Sequence, residues 1–168
     1  MNNKLSNLTV NILTHRTNTK ILTDCVKSIS KHVAINIIEN SENFENKDIF
    51  RKFEQNISII CTGNNLGYAG GHNYGIKNVK TRYVLVLNPD LVCKKDYFFN
   101  IQKYLSEEIN FHIIGSQYEE HKMDKPAFGI FNNEKYNPNI PVDENNLQSV
   151  DWVVGCSMLI DLNKFESR

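Results

Sequence analysis

The sequence predicts an α/β fold with a mostly parallel central sheet and flanking helices. Short apolar runs rich in β-branched residues alternate with segments of helical periodicity from Leu8 to Leu87. Right-handed crossovers would bring the carboxyl ends of such strands to one edge of the sheet. Polar residues follow each predicted strand end, and open α/β sheets bind their ligands at that edge. The sequence therefore predicts both a fold and a ligand-binding edge.

The first half of the chain supplies four strands and three helices. Apolar, β-branched runs predict strands over Leu8–Thr14, Val33–Ile38, Ile57–Cys61 and Tyr83–Leu87. Helices are predicted over Ile21–Ile29, Asp48–Glu54 and Gly71–Val79.

The second half changes rhythm after Asp90. A helix over Asp96–Leu105 and a strand over Phe111–Gly115 come first, and residues 117–147, polar and rich in proline, predict a hairpin and a mobile loop. Val150–Ile160 is an apolar strand region broken at Gly155, and Leu162 begins a further helix. Without an internal repeat or a domain boundary, residues 1–168 are predicted to form a single domain.

Composition restricts the classes of function. Nineteen basic and nineteen acidic side chains give zero net charge, which argues against nucleic-acid binding, where clustered positive charge supplies affinity. The four cysteines show no Cys-x-x-Cys spacing, which favours buried free thiols in a reducing compartment. No run approaches the about 18 apolar residues of a spanning helix. We expect a cytoplasmic protein and leave peripheral contact with the inner face of a membrane open.

The stretch from Asn64 to Asp90 combines two features that suit one site. Its glycine-rich part allows backbone to approach a ligand closely, and it is followed by a buried strand that ends in a carboxylate. The glycine spacing matches neither the dinucleotide fingerprint nor the P-loop. A strand-to-helix turn with glycines for packing is an equal interpretation of this part alone.

Two acidic residues after strand ends carry alternative interpretations. Asn88-Pro89-Asp90 is typical of a turn, but Asp90 also offers a carboxylate to Mg²⁺ or Mn²⁺, which bind one or two carboxylates together with substrate phosphates. Glu39 is either a solvated surface acid or an acceptor of hydrogen bonds from a nucleotide base or ribose.

Other candidates are weaker. His72 lies in the glycine-rich stretch, where contact with a phosphate is one interpretation, and His121 lies in a polar segment where solvation is favoured. The lone tryptophan, Trp152, is more often a core anchor than a platform for a sugar.

Three motifs in order and spacing resemble the family 2 glycosyltransferases, especially their rhamnosyltransferase-like branch. Asn-x-Gly-Phe/Tyr-Ala-x-Gly-x-Asn-x-Gly is matched over Asn65–Gly75. Leu-Asn-Pro-Asp is matched over Leu87–Asp90, and Val-Asp-Trp-Val-x-Gly over Val150–Gly155. The resemblance covers nearly the whole chain. It implies a GT-A fold with a Rossmann-type sheet that binds a nucleotide-diphosphate sugar.

The resemblance also implies roles for individual residues. Nucleotide-sugar binding falls to Thr14, Arg16, Glu39, Asn65, Gly67, Gly71, Asn73 and Asn88. Asp90 would bind a divalent cation, Mg²⁺ or Mn²⁺, and Trp152 and Gly155 would face the acceptor. The family more often has Asp where Glu39 stands, and Asn88 replaces the first acid of an Asp-x-Asp-type motif. The implied reaction is transfer of a sugar, with rhamnose as a candidate, to a saccharide or lipid-linked saccharide with inversion.

One departure from the family concerns the general base that would activate the acceptor. This base usually lies in a Glu-Asp-type motif beyond the tryptophan-glycine segment, and the sequence ends at Arg168 before such a motif. We therefore expect a domain incomplete at its C-terminus, with the base beyond Arg168. Spacing favours none of the substitutes Glu119, Glu120 and Asp151.

Two other functions stay open at this stage. A non-catalytic module that binds the nucleotide sugar is consistent with the missing base. A nucleotidyltransferase is disfavoured, because it would carry a glycine-rich loop after the first strand, where Thr14-His15-Arg16 stands.

Overall fold

The computed structural model describes residues 4–116, 128–129, 147 and 149–165. The strands are β1 (Leu8–Thr14), β2 (Ala34–Glu39), β3 (Ile57–Cys61), β4 (Tyr83–Leu87), β5 (Ile113–Gly115), β6 (Phe128–Gly129), β7 (Trp152–Val153) and β8 (Ser157–Asp161). The α-helices are α1 (Thr19–Ser28), α2 (Lys47–Phe50), α3 (Gly67–Ile76) and α4 (Tyr97–Ser106). Short 3₁₀ helices cover Lys4–Asn7 and Leu162–Lys164.

Six of these strands form the central sheet, in the order β3-β2-β1-β4-β8-β5. Strands β1 to β4 pair in parallel, whereas β8 runs antiparallel to both β4 and β5. Strand β5 therefore runs in the same direction as β1 to β4. A separate two-stranded antiparallel ribbon joins β6 to β7. The predicted α/β fold with a mostly parallel sheet is confirmed.

Helices cover both faces of the sheet, and alternation along β1 decides which residues meet them. Val10 and Ile12 point into the main apolar core, which also contains the buried residues of α1 and α4, among them Leu22, Val26 and Ile101. Asn11 and Leu13 point to the opposite face, where they meet the glycines of α3. All seven residues of β1 are buried, as the central position of this strand requires.

Several predicted boundaries are wrong. Helix α2 ends at Phe50 and not at Glu54, and β5 begins at Ile113 and not at Phe111. Helix α3 begins at Gly67, four residues before the predicted start at Gly71. Its glycine-rich sequence carries no helical periodicity, and at its start the Gly67 amide donates to Asn65 Oδ1 at 2.9 Å.

Close packing explains why α3 contains glycine on its inner face. A Cβ at Gly71 would lie 2.4 Å from Leu13 Cδ1, and a Cβ at Gly75 would lie 2.6 Å from Asn11 Oδ1 and 2.7 Å from Ile38 Cδ1. All three distances are shorter than any ordinary contact, so these positions bring the helix backbone directly onto the sheet. This position of α3 sets the height of the glycine-rich segment above the carboxyl ends of β1 and β2.

The remaining predictions have mixed outcomes. The break at Gly155 is confirmed, because a turn there separates β7 from β8. The hairpin and loop over 117–147, with His121, fall almost entirely outside the described residues. Cys25 is fully buried, but Cys61 is exposed at the end of β3. Within the described ranges, no helix combines the length and the apolarity needed to cross a bilayer.

Candidate functional site

The carboxyl ends of β1 and β2 hold a buried carboxylate. Thr14 and Glu39 are partners in the strand register, and each is 1% exposed. Glu39 Oε1 accepts hydrogen bonds from the Ser41 hydroxyl at 2.7 Å and from the Arg16 amide at 3.2 Å. Arg16 has a φ of 53°, a left-handed conformation that turns its amide toward the carboxylate. Glu39 is therefore not the solvated surface acid that was one of its two interpretations.

A cleft of about 390 Å³ opens beside this carboxylate. It is lined by Arg16, Thr17, Glu39, Ser41, Glu42, Asn43, Phe44, Glu45 and Asn46. Glu39 Oε2 and Thr14 Oγ1 are buried and have no hydrogen-bond partner among the described residues. Buried polar atoms are normally paired, so a ligand that donates a hydrogen bond to Glu39 would satisfy an unpaired acceptor.

Asn40 joins this cleft to the glycine-rich segment. Its Nδ2 donates to Asn65 Oδ1 at 2.9 Å and to the Gly67 carbonyl at 3.1 Å, and its Oδ1 accepts from the Leu66 amide at 2.9 Å. Gly67 has a φ of 71°, which favours glycine at this point. Sequence reasoning missed Asn40, although its place directly after Glu39 at a strand end is the signal that could have found it.

A buried polar pair lies under α3. Asn11 Nδ2 donates to the His72 carbonyl at 3.3 Å and lies 3.2 Å from His72 Nδ1, which accepts in the tautomer protonated at Nε2. Burial lowers the pKa of His72 to about 4. His72 is 4% exposed, so the interpretation as a surface phosphate contact is not favoured. The signal for this pair was Asn11, a polar residue in the middle of an apolar strand.

The segment after β4 lies at the same edge of the sheet, one strand from β1, and none of its residues 88–90 lines the cleft. The Asn88 amide donates to the Cys156 carbonyl at 2.8 Å, which anchors the start of the Asn88-Pro89-Asp90 segment. Asp90 itself is exposed, and no described residue donates a hydrogen bond to its carboxylate. The described residues contain no cluster of three His, Cys, Asp or Glu that could hold a metal. A single free carboxylate fits the mode in which Mg²⁺ or Mn²⁺ takes most of its ligands from phosphates and water.

The other predicted residues lie on α3, in or beside β7 and the turn that follows it, or outside the described residues. Gly71 is buried against Leu13, whereas Asn73 is exposed on α3 without a side-chain hydrogen bond to the rest of the described site. Trp152 is half-buried and pairs in register with Gly129. The carbonyl of Gly155 accepts a hydrogen bond from the Tyr68 hydroxyl. Asp151 is exposed, and Glu119 and Glu120 lie outside the described residues.

Comparison with known sequences gives one family. The model of the family described as "Glycosyl transferase family 2" matches residues 9–157. A curated relative, the low-salt glycan biosynthesis hexosyltransferase Agl10 of Haloferax volcanii, is 31% identical over 120 residues. The match covers 66% of this chain and 39% of the relative, so the chain spans well under half of that protein.

Comparison with solved structures supports the same fold. The structure of S. aureus TarS 1-349 in complex with UDP-GlcNAc matches with a TM-score of 0.58 at 15% identity, covering 72% of this chain and 37% of that chain. The complex of the same protein with UDP matches with a TM-score of 0.57 at 16% identity, over 72% and 38%. At these identities the likeness establishes the fold alone.

Proposed function

This chain belongs to glycosyl transferase family 2, and from that premise we propose that it binds a nucleotide-diphosphate sugar at the carboxyl edge of the sheet. The observation that carries the proposal is the unpaired, buried Oε2 of Glu39 beside the cleft. The carboxylate of Asp90 follows β4, next to β1, at the same edge of the sheet. One acidic group is thus available for a nucleoside and another for a cation on a diphosphate.

The nucleoside side of the proposal rests on Thr14, Arg16 and Glu39. An imide N–H of a pyrimidine or a ribose hydroxyl would donate to Glu39 Oε2, since Oε1 is already used by Ser41 and Arg16. The solved structures with UDP and UDP-GlcNAc make uridine the first nucleoside to test. Asn65 and Gly67, held by Asn40, would border the nucleotide on its second side.

The diphosphate side rests on Asn88 and Asp90, which follow β4 at this edge of the sheet. A divalent cation held there would supply positive charge to stabilise the departing diphosphate. The Asp90 carboxylate would hold that cation, and the side-chain amide of Asn88 would orient the phosphate end of the donor. The support for Asp90 is its exposed carboxylate, which no described residue occupies with a hydrogen bond.

The last part of the proposal concerns the transfer of the sugar to the acceptor. The acceptor, a saccharide or a lipid-linked saccharide, would approach past Trp152 and Gly155, and the sugar would be transferred with inversion, with rhamnose as one candidate. A general base, Asp or Glu, would remove the proton of the acceptor hydroxyl. We place the protein in the cytoplasm, where an exposed free thiol such as that of Cys61 stays reduced.

Calorimetry of the 168-residue chain with Mn²⁺ tests the proposal. UDP, UMP and UDP-GlcNAc are titrated first, followed by the diphosphates of the other bases and of deoxythymidine. We expect UDP or another diphosphate to bind, and we expect Glu39→Gln to weaken the diphosphate and the monophosphate of that base alike, by about tenfold, because a charged acceptor is replaced by a neutral one. Failure of every diphosphate to bind would sink the proposal.

Turnover separates the transferase from a non-catalytic binding module. The same chain is incubated with the bound nucleotide sugar and a saccharide acceptor, and release of the nucleoside diphosphate is measured. Acceptor-dependent release supports transfer by this chain, whereas binding without release assigns it the binding role.

A further inference from the structure

The turn between β7 and β8, residues 154–156, makes hydrogen bonds to both helix α3 and the segment of residues 88–90. Its Cys156 carbonyl accepts from the Asn88 amide, at the start of the segment that carries Asp90. Its Gly155 carbonyl accepts from the Tyr68 hydroxyl, which belongs to the first turn of α3. Two consecutive carbonyls therefore connect helix α3 to the segment of residues 88–90.

Tyr68 is the side chain that makes this connection. It is 47% exposed, yet its hydroxyl reaches a carbonyl 87 residues away in the sequence. Its ring contacts the imidazole of His72 edge to face, with centroids 4.6 Å apart. His72 in turn is bonded to Asn11 in the central strand. A continuous series of contacts thus runs from the centre of the sheet to the turn.

Two further observations suit a holding role for this hydroxyl. Burial raises the pKa of Tyr68, with a smaller contribution from the Cys156 thiol, so the hydroxyl stays protonated and able to donate. A Cβ at Gly155 would lie 3.5 Å from Tyr68 Oη, in ordinary van der Waals contact, so the ring already lies against the turn.

We propose that Tyr68 is a positioning residue, whose hydrogen bond to Gly155 holds the β7–β8 turn and, through Cys156 and Asn88, sets the position of Asp90. This inference rests on the proposed function for its effect on ligand binding. It does not require Tyr68 to touch the donor. It predicts that loss of the hydroxyl impairs the diphosphate and cation end of the site and leaves the nucleoside end intact.

The test compares Tyr68→Phe with the wild-type chain and with Tyr74→Phe. Tyr74 lies on the same helix, is 41% exposed, and its hydroxyl bonds to none of the described residues. Affinities for UDP and for UMP are measured by calorimetry with Mn²⁺. We expect the Kd of UDP to rise about fivefold in Tyr68→Phe, the size of one ordinary hydrogen bond. The Kd of UMP stays unchanged, and Tyr74→Phe behaves as wild type.

A second measurement needs no ligand. Hydrogen exchange of the Asn88 amide reports the bond to Cys156, and we expect it to be about fivefold faster in Tyr68→Phe than in Tyr74→Phe. Unchanged exchange at Asn88 overturns the inference whatever binds. An equal loss of UDP and UMP also overturns it, because a general loss of structure would have that effect. If the wild-type chain binds no nucleoside diphosphate, the proposed function fails, and the exchange measurement still decides whether Tyr68 holds Asn88.

Discussion

The two walls of the proposed site are built in different ways. The nucleoside wall, formed by the ends of β1 and β2 and by α3, consists of buried polar groups that already hold one another, as Glu39, Ser41 and Arg16 do. The cation wall, residues 88–90, has one backbone anchor at Asn88 and ends in the exposed Asp90. The nucleoside wall is part of the folded core, whereas the cation wall presents a charged side chain on the surface of the protein.

Because of this difference, substitutions on the two walls should affect different quantities, protein stability on one and ligand binding on the other. A disruptive substitution in the nucleoside wall leaves a buried group unpaired or overpacked, so it should lower the stability of the protein even without ligand. A fault in the cation wall should leave stability unchanged and appear when a cation and a diphosphate are added. Three predictions test this separation, in order of expected size.

The largest effect is a pH dependence of stability that arises from His72 in the nucleoside wall. Its folded pKa of about 4 lies below the ordinary value, 6.5, because burial removes the ring from water and disfavours the charged imidazolium. As the pH falls below 6.5, the unfolded chain takes up a proton that the folded chain refuses. The free energy of unfolding should therefore fall progressively until about pH 4, by about 3 kcal/mol in total.

Urea unfolding at pH 7, 5.5 and 4 measures this loss. The comparison is His72→Asn, whose amide oxygen can accept from Asn11 but does not titrate. Asp161, whose pKa is lowered by its bond to Arg82, titrates in both proteins, so the difference between the two pH profiles isolates His72. Parallel profiles would contradict the assignment of a neutral, buried His72.

Asp90→Asn should give the next largest effect, on the cation wall. Removal of the carboxylate should weaken Mn²⁺-dependent binding of UDP by about 100-fold, because loss of a metal ligand costs at least as much as loss of its outer partners. The free energy of unfolding should change by less than about 0.5 kcal/mol, since the side chain is exposed. Calorimetry with and without Mn²⁺, and urea unfolding, measure both quantities.

Asp96→Asn is the matched control for this substitution. Asp96 is another exposed carboxylate close in sequence, and its side chain makes no capping hydrogen bond to α4. Equal binding by Asp90→Asn and wild type would remove Asp90 from the cation wall. A large loss of stability would show that the two walls are not built as differently as the structure indicates.

Gly75→Ala should give the smallest of the three effects, again on the nucleoside wall. The added Cβ would lie 2.6 Å from Asn11 Oδ1 and 2.7 Å from Ile38, both buried. Overpacking of this kind should lower the free energy of unfolding by about 2 kcal/mol in the absence of ligand, measured by urea unfolding.

Gly70→Ala controls for the general effect of alanine in the same helix. A Cβ at Gly70 would lie 3.1 Å from Leu66 Cβ, a much milder contact than the 2.6 Å and 2.7 Å at Gly75. Its stability should equal or exceed that of the wild type, because alanine favours the helix over glycine by up to about 1 kcal/mol. If Gly75→Ala is as stable as Gly70→Ala, the close packing of α3 on β1 is not a source of stability.

The sequence predicted most accurately those parts whose residues carry their own signal. The bounds of β1, β3 and β4 agree with prediction, because each is a run of apolar or β-branched residues with a clear end. The start of α3 could not be predicted, because glycine disfavours a helix and its packing partners, Asn11 and Leu13, lie more than fifty residues earlier. The antiparallel placement of β8 between β4 and β5 has no local signal either.

The residues of the candidate site also differ in whether they carry a local sequence signal. Thr14, Glu39 and Asp90 were singled out because each lies at or just after the end of a predicted strand, and their binding roles stay predictions. Asn40 and Tyr68 were not found, since their roles depend on which distant backbone groups the fold brings within reach. Sequence patterns thus identify residues that end an element, whereas residues that connect two elements become visible in the structure.

The placement of β8 has a consequence for how the chain is synthesised. Strand β8 pairs with β4, completed some seventy residues earlier, and lies between it and β5. As the polypeptide leaves the ribosome, the apolar edge of β4 therefore waits without its neighbour until Asp161 has emerged. An unpaired apolar edge is a template for aggregation. Nascent chains of this protein should depend on chaperones chiefly in the interval between the emergence of residue 87 and that of residue 161 from the ribosome.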